Sequence, residues 1–391
     1  MKKATVSYSF IQASYWTSFC IAATFAAVYL KYVGYTNTQV GIIAAAGNLF
    51  GIVLGPFLAY LIDKYENITP SKVIPCILIL QTISVFALLV FPTKGTLNSI
   101  AFVLYNVFCV AANSAILKIY VDLEHNNIRV NYGLARGMGS LAFVALSFAL
   151  SFIIEKWSES ALPYVGICLC FAQIASQINV NIRFLKKVKE TKSDKKQATP
   201  LLRFISENKR FFVLLIGFSV LFFAQNTIYN FSINMANYLG RGADVVGIFN
   251  GMKAAVEIPV LVFFSVIFKK VKSGKLLLIS AIFFFVKQIS LAIVPNVEAF
   301  YATTLLQAPS FAILSGAIVP YTNEVVPYKD SAKAQGMAFA AIQVGSIAAG
   351  LIGGTMYDCL PVSSILWIMV GISAIGMIIC FAGVQSNKKT I

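Results

Sequence analysis

The sequence predicts an all-α membrane protein: twelve transmembrane helices in two six-helix halves, each of nested three-helix repeats. Three observations predict it. The 391-residue chain is 58% hydrophobic and only 12% charged, where a soluble domain carries about 25% charged residues. Apolar runs long enough to cross about 30 Å of hydrocarbon as a helix, about 20 residues each, recur from end to end. One basic polar stretch interrupts them, near the middle. Long continuous runs exclude a transmembrane barrel, whose strands alternate over about ten residues.

In the first half the spans are Tyr8–Tyr32, Thr38–Ile62, Lys72–Phe91, Leu97–Val121, Tyr132–Ile154 and Ala161–Phe184. Met1-Lys2-Lys3 ahead of the first run resembles a secretory signal. The run is too long for a signal's apolar region and eleven more follow, so it reads as an uncleaved first helix. In the second half the spans are Phe211–Tyr238, Val245–Phe268, Lys275–Pro295, Ala299–Thr322, Ser331–Tyr357 and Val362–Val384. The expected division is a bundle over 1–184, a cytoplasmic linker over 185–210 and a second bundle over 211–391.

The net charge of +16 comes from 31 Lys/Arg against 15 Asp/Glu. With the N-terminus inside, the inner segments hold Lys2, Lys3, Lys64, Lys72, Arg129, the run up to Arg210, the Lys269–Lys275 cluster, Lys329, Lys333, Lys388 and Lys389. The outer loops hold Lys31, Lys94, Lys156 and Arg241. The bias places both termini in the cytoplasm, in a multi-pass protein of the cell (plasma or inner) membrane. The basic run Arg183–Arg210 has aromatics only at Phe184 and Phe204, so it offers no stacking platform for nucleic acid. Seven scattered cysteines form no CxxC pair, and one histidine cannot make a zinc site. No phosphate-binding loop appears: Ser273-Gly274-Lys275 has Lys269 where the first glycine should stand. No metal or cofactor is expected.

Gly-x-x-x-Gly spacing lets helix backbones approach closely in lipid. Five such pairs occur: Gly47/Gly51, Gly51/Gly55, Gly133/Gly137, Gly247/Gly251 and Gly350/Gly354. They fall on spans two, five, eight and eleven, a period of three that nested three-helix repeats predict. Two bundles with close-packed helices at equivalent places suggest alternating access, with these glycines serving conformational change.

Twelve spans, two halves and a basic middle loop resemble the major facilitator superfamily over the whole chain. That superfamily's loop between helices two and three normally carries a glycine, a leucine, an acid and a cation. Ala59-Tyr60-Leu61-Ile62-Asp63-Lys64 keeps the last three, making Asp63 and Lys64 gating candidates. Tyr132-Gly133-Leu134-Ala135-Arg136-Gly137-Met138-Gly139-Ser140 resembles the start of helix five in the oligosaccharide/proton symporter and phenylpropionate-type permease branch. Val246-Gly247 followed by Glu257, and Met356-Tyr357-Asp358, resemble that branch's helices eight and eleven. Leu306-Gln307 followed by Ser310-Phe311 looks like the phenylpropionate-type helix ten. The resemblance implies a proton-coupled symporter. It implies an acid at Lys118 paired with the helix-five arginine, and a histidine and acid on helix ten; this chain has Lys118 and Gln307 instead.

An ionisable side chain near the bilayer centre costs about 2.5–3.5 kcal/mol on insertion scales, which makes it a functional candidate. Lys253 and Glu257 on span eight and Lys287 on span nine are such residues. Lys253 and Glu257 share a helix face and can pair, and Lys287 is a second partner. Burial favours the neutral carboxyl and nearby lysines favour the carboxylate, so a cycle alternating the two could load and release a proton. Lys118 and Arg136 lie nearer the cytoplasmic side. Four cations against one deep carboxylate favour an anionic solute, or a neutral one if the cations are otherwise paired.

Neutral polar residues outline where a solute could bind: Asn226, Asn230 and Asn234 at four-residue intervals on span seven, with Gln225 and Tyr229 beside them; Gln12 and Trp16 on span one; Asn106 and Asn113 on span four; Gln307 and Ser310 on span ten. The expectation is a monomeric secondary transporter in the lipid bilayer, using protons to move a small organic solute such as an aromatic acid. A sugar or nucleoside symporter and a proton-driven exporter are the alternatives. A membrane-embedded enzyme is the rival class, for which only Asp122, Glu124 and His125 on one loop are available.

Overall fold

The computed structural model describes residues 2–65, 68, 70–125, 128–183, 201–264, 271–327 and 330–385. Its described regular structure is all helical. Among the described residues eleven helices are long and apolar enough to cross a membrane, and a bent pair, Lys3–Thr24 with Ala26–Val33, supplies a twelfth at a 46° break. The spans fall where the apolar runs predicted them. In a bilayer every backbone N–H and C=O must be satisfied within the segment, so a long apolar run has one outcome.

Local chemistry sets the ends. Gly34, in the left-handed conformation at φ 100°, ends span one. Thr36 opens span two with a capping box: Gln39 N–H donates to its Oγ1 at 3.3 Å, and its own N–H donates to Gln39 Oε1 at 3.1 Å. Asn131 caps span five and Asn296 caps span ten, each accepting from the backbone three residues on.

The chain forms two compact units, Met1–Asp194 with Gly242–Gly251, and Lys195–Arg241 with Met252–Ile391. In the first, span one (Lys2–Phe19, a π turn at Cys20–Thr24, then Ala26–Val33) packs on span five (Tyr132–Trp157) and span six (Ala161–Arg183). Span three (Pro70–Val90) packs on span four (Thr96–His125) and span six, and span two (Asn37–Lys64) packs on span four. In the second unit four of these five pairings recur six spans later. Span seven (Lys209–Tyr229, then Ser232–Tyr238) packs on span eleven (Ser331–Ala348, Ala349–Gly353, Gly354–Cys359) and span twelve (Val362–Gly383). Span nine (Ser273–Ala292) packs on spans ten and twelve. Within the expected linker, residues 184–200 lie outside the described part. Leu201–Glu207 is a short helix whose buried Phe204 packs on Phe212, with Lys333 Nζ over its ring at 5.2 Å.

The glycine pairs divide. A methyl at Gly47 would meet Asn106, and one at Gly51 would meet Val110, so this pair does set the close approach of spans two and four. Gly55 is buried on the same helix. Gly247 and Gly251 lie against Ser147, Ser151 and Phe148, within the first unit. Gly133 and Gly137 do not behave as expected. Gly137 has nothing within 4 Å of an added methyl among the described residues, and the nearest atom to Gly133 is its own cap, Asn131, at 3.7 Å. On span five the tight contact belongs to Gly139 instead. Gly350 and Gly354 are buried, while Gly345 and Gly353 are the span-eleven glycines whose added methyl meets span seven. The pattern identified the helices that need small residues. It could not identify which glycine faces the neighbour, because spacing within one helix does not say which face a neighbour takes; on span eleven the π turn Ala349–Gly353 also rotates the register.

Candidate functional site

Each unit holds a polar cluster by itself. In the first, Tyr8, Gln12 and Trp16 recur every four residues on span one and therefore stand in one row. Trp16 Nε1 donates to Gln12 Oε1 at 3.1 Å, Gln12 Nε2 donates to the Tyr8 hydroxyl at 3.1 Å, and that hydroxyl donates to the Ile116 carbonyl at 3.1 Å. The Arg136 guanidinium lies over the Trp16 ring, 3.9 Å from its centroid, and Nη1 donates to Ser140 Oγ at 2.8 Å. Gly139 sits under the indole: an added methyl would fall 2.6 Å from Trp16 Cδ1. The Arg-x-x-Gly-Ser spacing is thus explained locally. Gly139 admits the indole, the indole carries the guanidinium, and Ser140 fixes its plane. Tyr8, Tyr120 and Tyr132 gather beside this row, the last two with ring centroids 4.9 Å apart.

Of the other first-unit candidates, Asn113 is exposed and has no place in this cluster. The side chains of Lys118 and Asp63 lie outside the described residues. Lys64 Nζ sits between the rings of Tyr60 and Tyr65, at 5.4 and 5.3 Å.

The second unit brings the deep charges together. Lys287 is 0% exposed. Its Nζ donates to Gln225 Oε1, to Gln307 Oε1 at 2.9 Å and to Ser310 Oγ at 3.0 Å. The other end of the Gln307 amide, Nε2, donates to Glu257 Oε1 at 2.8 Å. Tyr229 donates its hydroxyl to Gln307 Oε1 at 3.3 Å, and Lys253 Nζ lies over the Tyr229 ring at 4.3 Å. Gln307 therefore connects the cation to the carboxylate. It stands where a 3-10 turn (Thr303–Gln307) meets a π turn (Ala308–Ala312), an irregularity that aims both Gln307 and Ser310 at Lys287.

Sequence reasoning named Glu257, Lys253, Lys287, Tyr229 and Gln307, and the structure clusters them. It left Gln225 and Ser310 as cavity outline, although they complete the set. Gln225 sits one helical turn before Tyr229, a signal that was present. The asparagine row needs correction as a straight stripe. Asn226 donates to Ser346 Oγ at 2.8 Å. The helix ends at Tyr229 and resumes at Ser232, so Asn230 lies in the break and Asn234 belongs to the next segment.

The sequence matches the MFS_1 like family over residues 6–367. The chain belongs to that family. Among curated proteins, none matches the sequence. Solved structures share the fold. The nucleoside transporter NupG aligns at a TM-score of 0.79 with 15% identity, covering 98% of this chain and 100% of that one. An auto-inhibited POT family peptide transporter aligns at 0.78 with 8% identity, covering 100% and 99%. A bacterial homolog of the human lysosomal transporter Spinster, inward-facing and unoccupied, aligns at 0.66 with 14% identity, covering 98% and 95%. This MFS_1 like protein is a multi-pass integral membrane transporter of the major facilitator type.

Proposed function

We propose that the protein is a solute–proton symporter working by alternating access, with Glu257 carrying the proton and an organic anion such as an aromatic acid as solute. The observation that carries the reading is the chain Glu257–Gln307–Lys287, a carboxylate and an ammonium joined through one amide. A carboxylate only accepts and an ammonium only donates, so the amide can serve both at once only in the observed sense. Protonating Glu257 removes its charge and weakens the bond it accepts from Gln307 Nε2, while the ammonium still holds the amide in that sense. The proton state of one group is thereby tied to the packing of three helices.

The solute reading rests on the first unit. Arg136 presents a planar, permanently charged fork over an aromatic face, which suits a planar carboxylate and a ring together. Gln12 and Trp16 supply the remaining polar and aromatic surface. Both termini lie in the cytoplasm in this reading, the protein acts as a monomer in the cell membrane, and Asp63 and Lys64 take part in gating.

The test uses proteoliposomes with an imposed pH gradient and a panel of aromatic acids, sugars and nucleosides. Gradient-driven accumulation of an aromatic acid is expected, with Glu257→Gln binding the solute but no longer concentrating it. Undiminished accumulation by Glu257→Gln would remove the carboxylate from the mechanism.

A further inference from the structure

Lys287 is treated by its surroundings as a bound ligand. An ammonium has three N–H donors and no acceptor, and Nζ meets three oxygens: Gln225 Oε1, Gln307 Oε1 and Ser310 Oγ. Two of these are held in the accepting sense by other bonds. Ser310 sends its own hydrogen to the Leu306 carbonyl at 2.6 Å, leaving a lone pair for Nζ. Gln307 has its Nε2 committed to Glu257, leaving Oε1 for Nζ. The Phe284 and Tyr229 ring faces close the remaining sides, with centroids 4.6 and 5.4 Å from Nζ. Oxygen acceptors with aromatic faces are the chemistry of a small-ammonium site. The oxygens come from spans seven and ten, whereas the cation comes from span nine. Snorkelling does not explain it, because the head group is fully buried and fully coordinated.

We propose that spans seven and ten form a cation site for a primary ammonium, and that Lys287 fills it as a tethered ligand. The fixed cation holds the three helices together and supplies a positive charge to the Glu257 network without drawing sodium or potassium from solution. The site does not depend on which group carries the coupled proton. Failure of Glu257→Gln to uncouple transport would leave this proposal standing, and the converse holds too.

The proposal predicts chemical rescue. Lys287→Ala deletes Cγ, Cδ, Cε and Nζ, the heavy atoms of propylammonium. The experiment measures thermal unfolding of the purified full chain in detergent, wild type and Lys287→Ala. Propylammonium chloride is titrated against sodium chloride and tetramethylammonium chloride at matched ionic strength, with 1-propanol as the neutral control. Lys287→Ala is expected to melt below the wild type. Its Tm should rise with propylammonium to a plateau, as mass action requires of a ligand bound by the folded state. Sodium, tetramethylammonium and propanol should not reproduce the rise, and the wild type should not respond. Equal responses of both proteins, or none in either, would overturn the proposal.

Should Lys287→Ala yield no folded protein, a cycle of Gln225→Leu, Lys287→Met and the double variant decides. Groups in one hydrogen-bonded cage couple. Lys287→Met should therefore lower Tm less in the Gln225→Leu background than in the wild type. Additive losses would show that Gln225 does not hold the cation, and the cage would fall.

Discussion

Gly139 offers the sharpest test of the first-unit geometry, because a second glycine two residues away provides an internal control. An alanine methyl at Gly139 would sit 2.6 Å from Trp16 Cδ1 and 3.1 Å from the Gln12 carbonyl oxygen. One neighbour is a ring atom of a bulky side chain and the other is backbone, so neither gives way cheaply. Overpacking of this kind costs about 1–3 kcal/mol. At Gly137 an added methyl meets nothing within 4 Å among the described residues. There the usual advantage of alanine in a helix, about 0.5–1 kcal/mol, is unopposed. The two substitutions should differ in sign, with a gap of about 1.5–4 kcal/mol by the same reckoning. The assay is unfolding in mixed micelles titrated with dodecyl sulfate, followed by tryptophan emission. Because the chain has three tryptophans, a Trp16→Phe background assigns the local signal. Gly139→Ala should shift the midpoint down and perturb Trp16 emission, while Gly137→Ala should leave the emission unchanged and raise the midpoint. Equal midpoints for the two variants would refute the argument that Gly139 seats the indole.

Arg136→Lys keeps the charge but loses the planar stack on Trp16, a contact worth about 0.5–2 kcal/mol. Aromatic-acid binding should weaken up to about thirtyfold on that basis, read by tryptophan quenching, and neutral solutes should be unaffected. Asn226→Ala removes one interhelical bond to Ser346. Such bonds in membranes average about 0.6 kcal/mol, so a small loss of thermal stability is expected. A large loss would mean that Asn226 holds more than span eleven.

Much of the fold was legible in the sequence because lipid leaves few choices. A long apolar segment must close its hydrogen bonds internally, so the spans could be read from apolar runs. The deep charges were equally legible: Glu257, Lys253 and Lys287 stand out because an ionisable group in hydrocarbon needs a partner. Gly47 and Gly51 marked a real close approach, but among the described residues Gly133 and Gly137 did not. Glycine spacing records that a helix has a small-residue stripe, not which face a neighbour takes.

The sequence by itself determined the helical membrane class, the twelve spans, their family and the few side chains that lipid would penalise. Hydrophobicity and period are properties of single segments, and a bilayer acts on segments one at a time. Only the tertiary structure decided who meets whom. It placed Gln225 and Ser310 on Lys287, set Gln307 between the ammonium and Glu257, and laid Arg136 on Trp16. The pairings of Gln307 and Ser310 depend on the irregular turns, 3-10 over Thr303–Gln307 and π over Ala308–Ala312. Each rotates part of a helix out of its ideal register, and helical spacing in the sequence carries no record of that rotation.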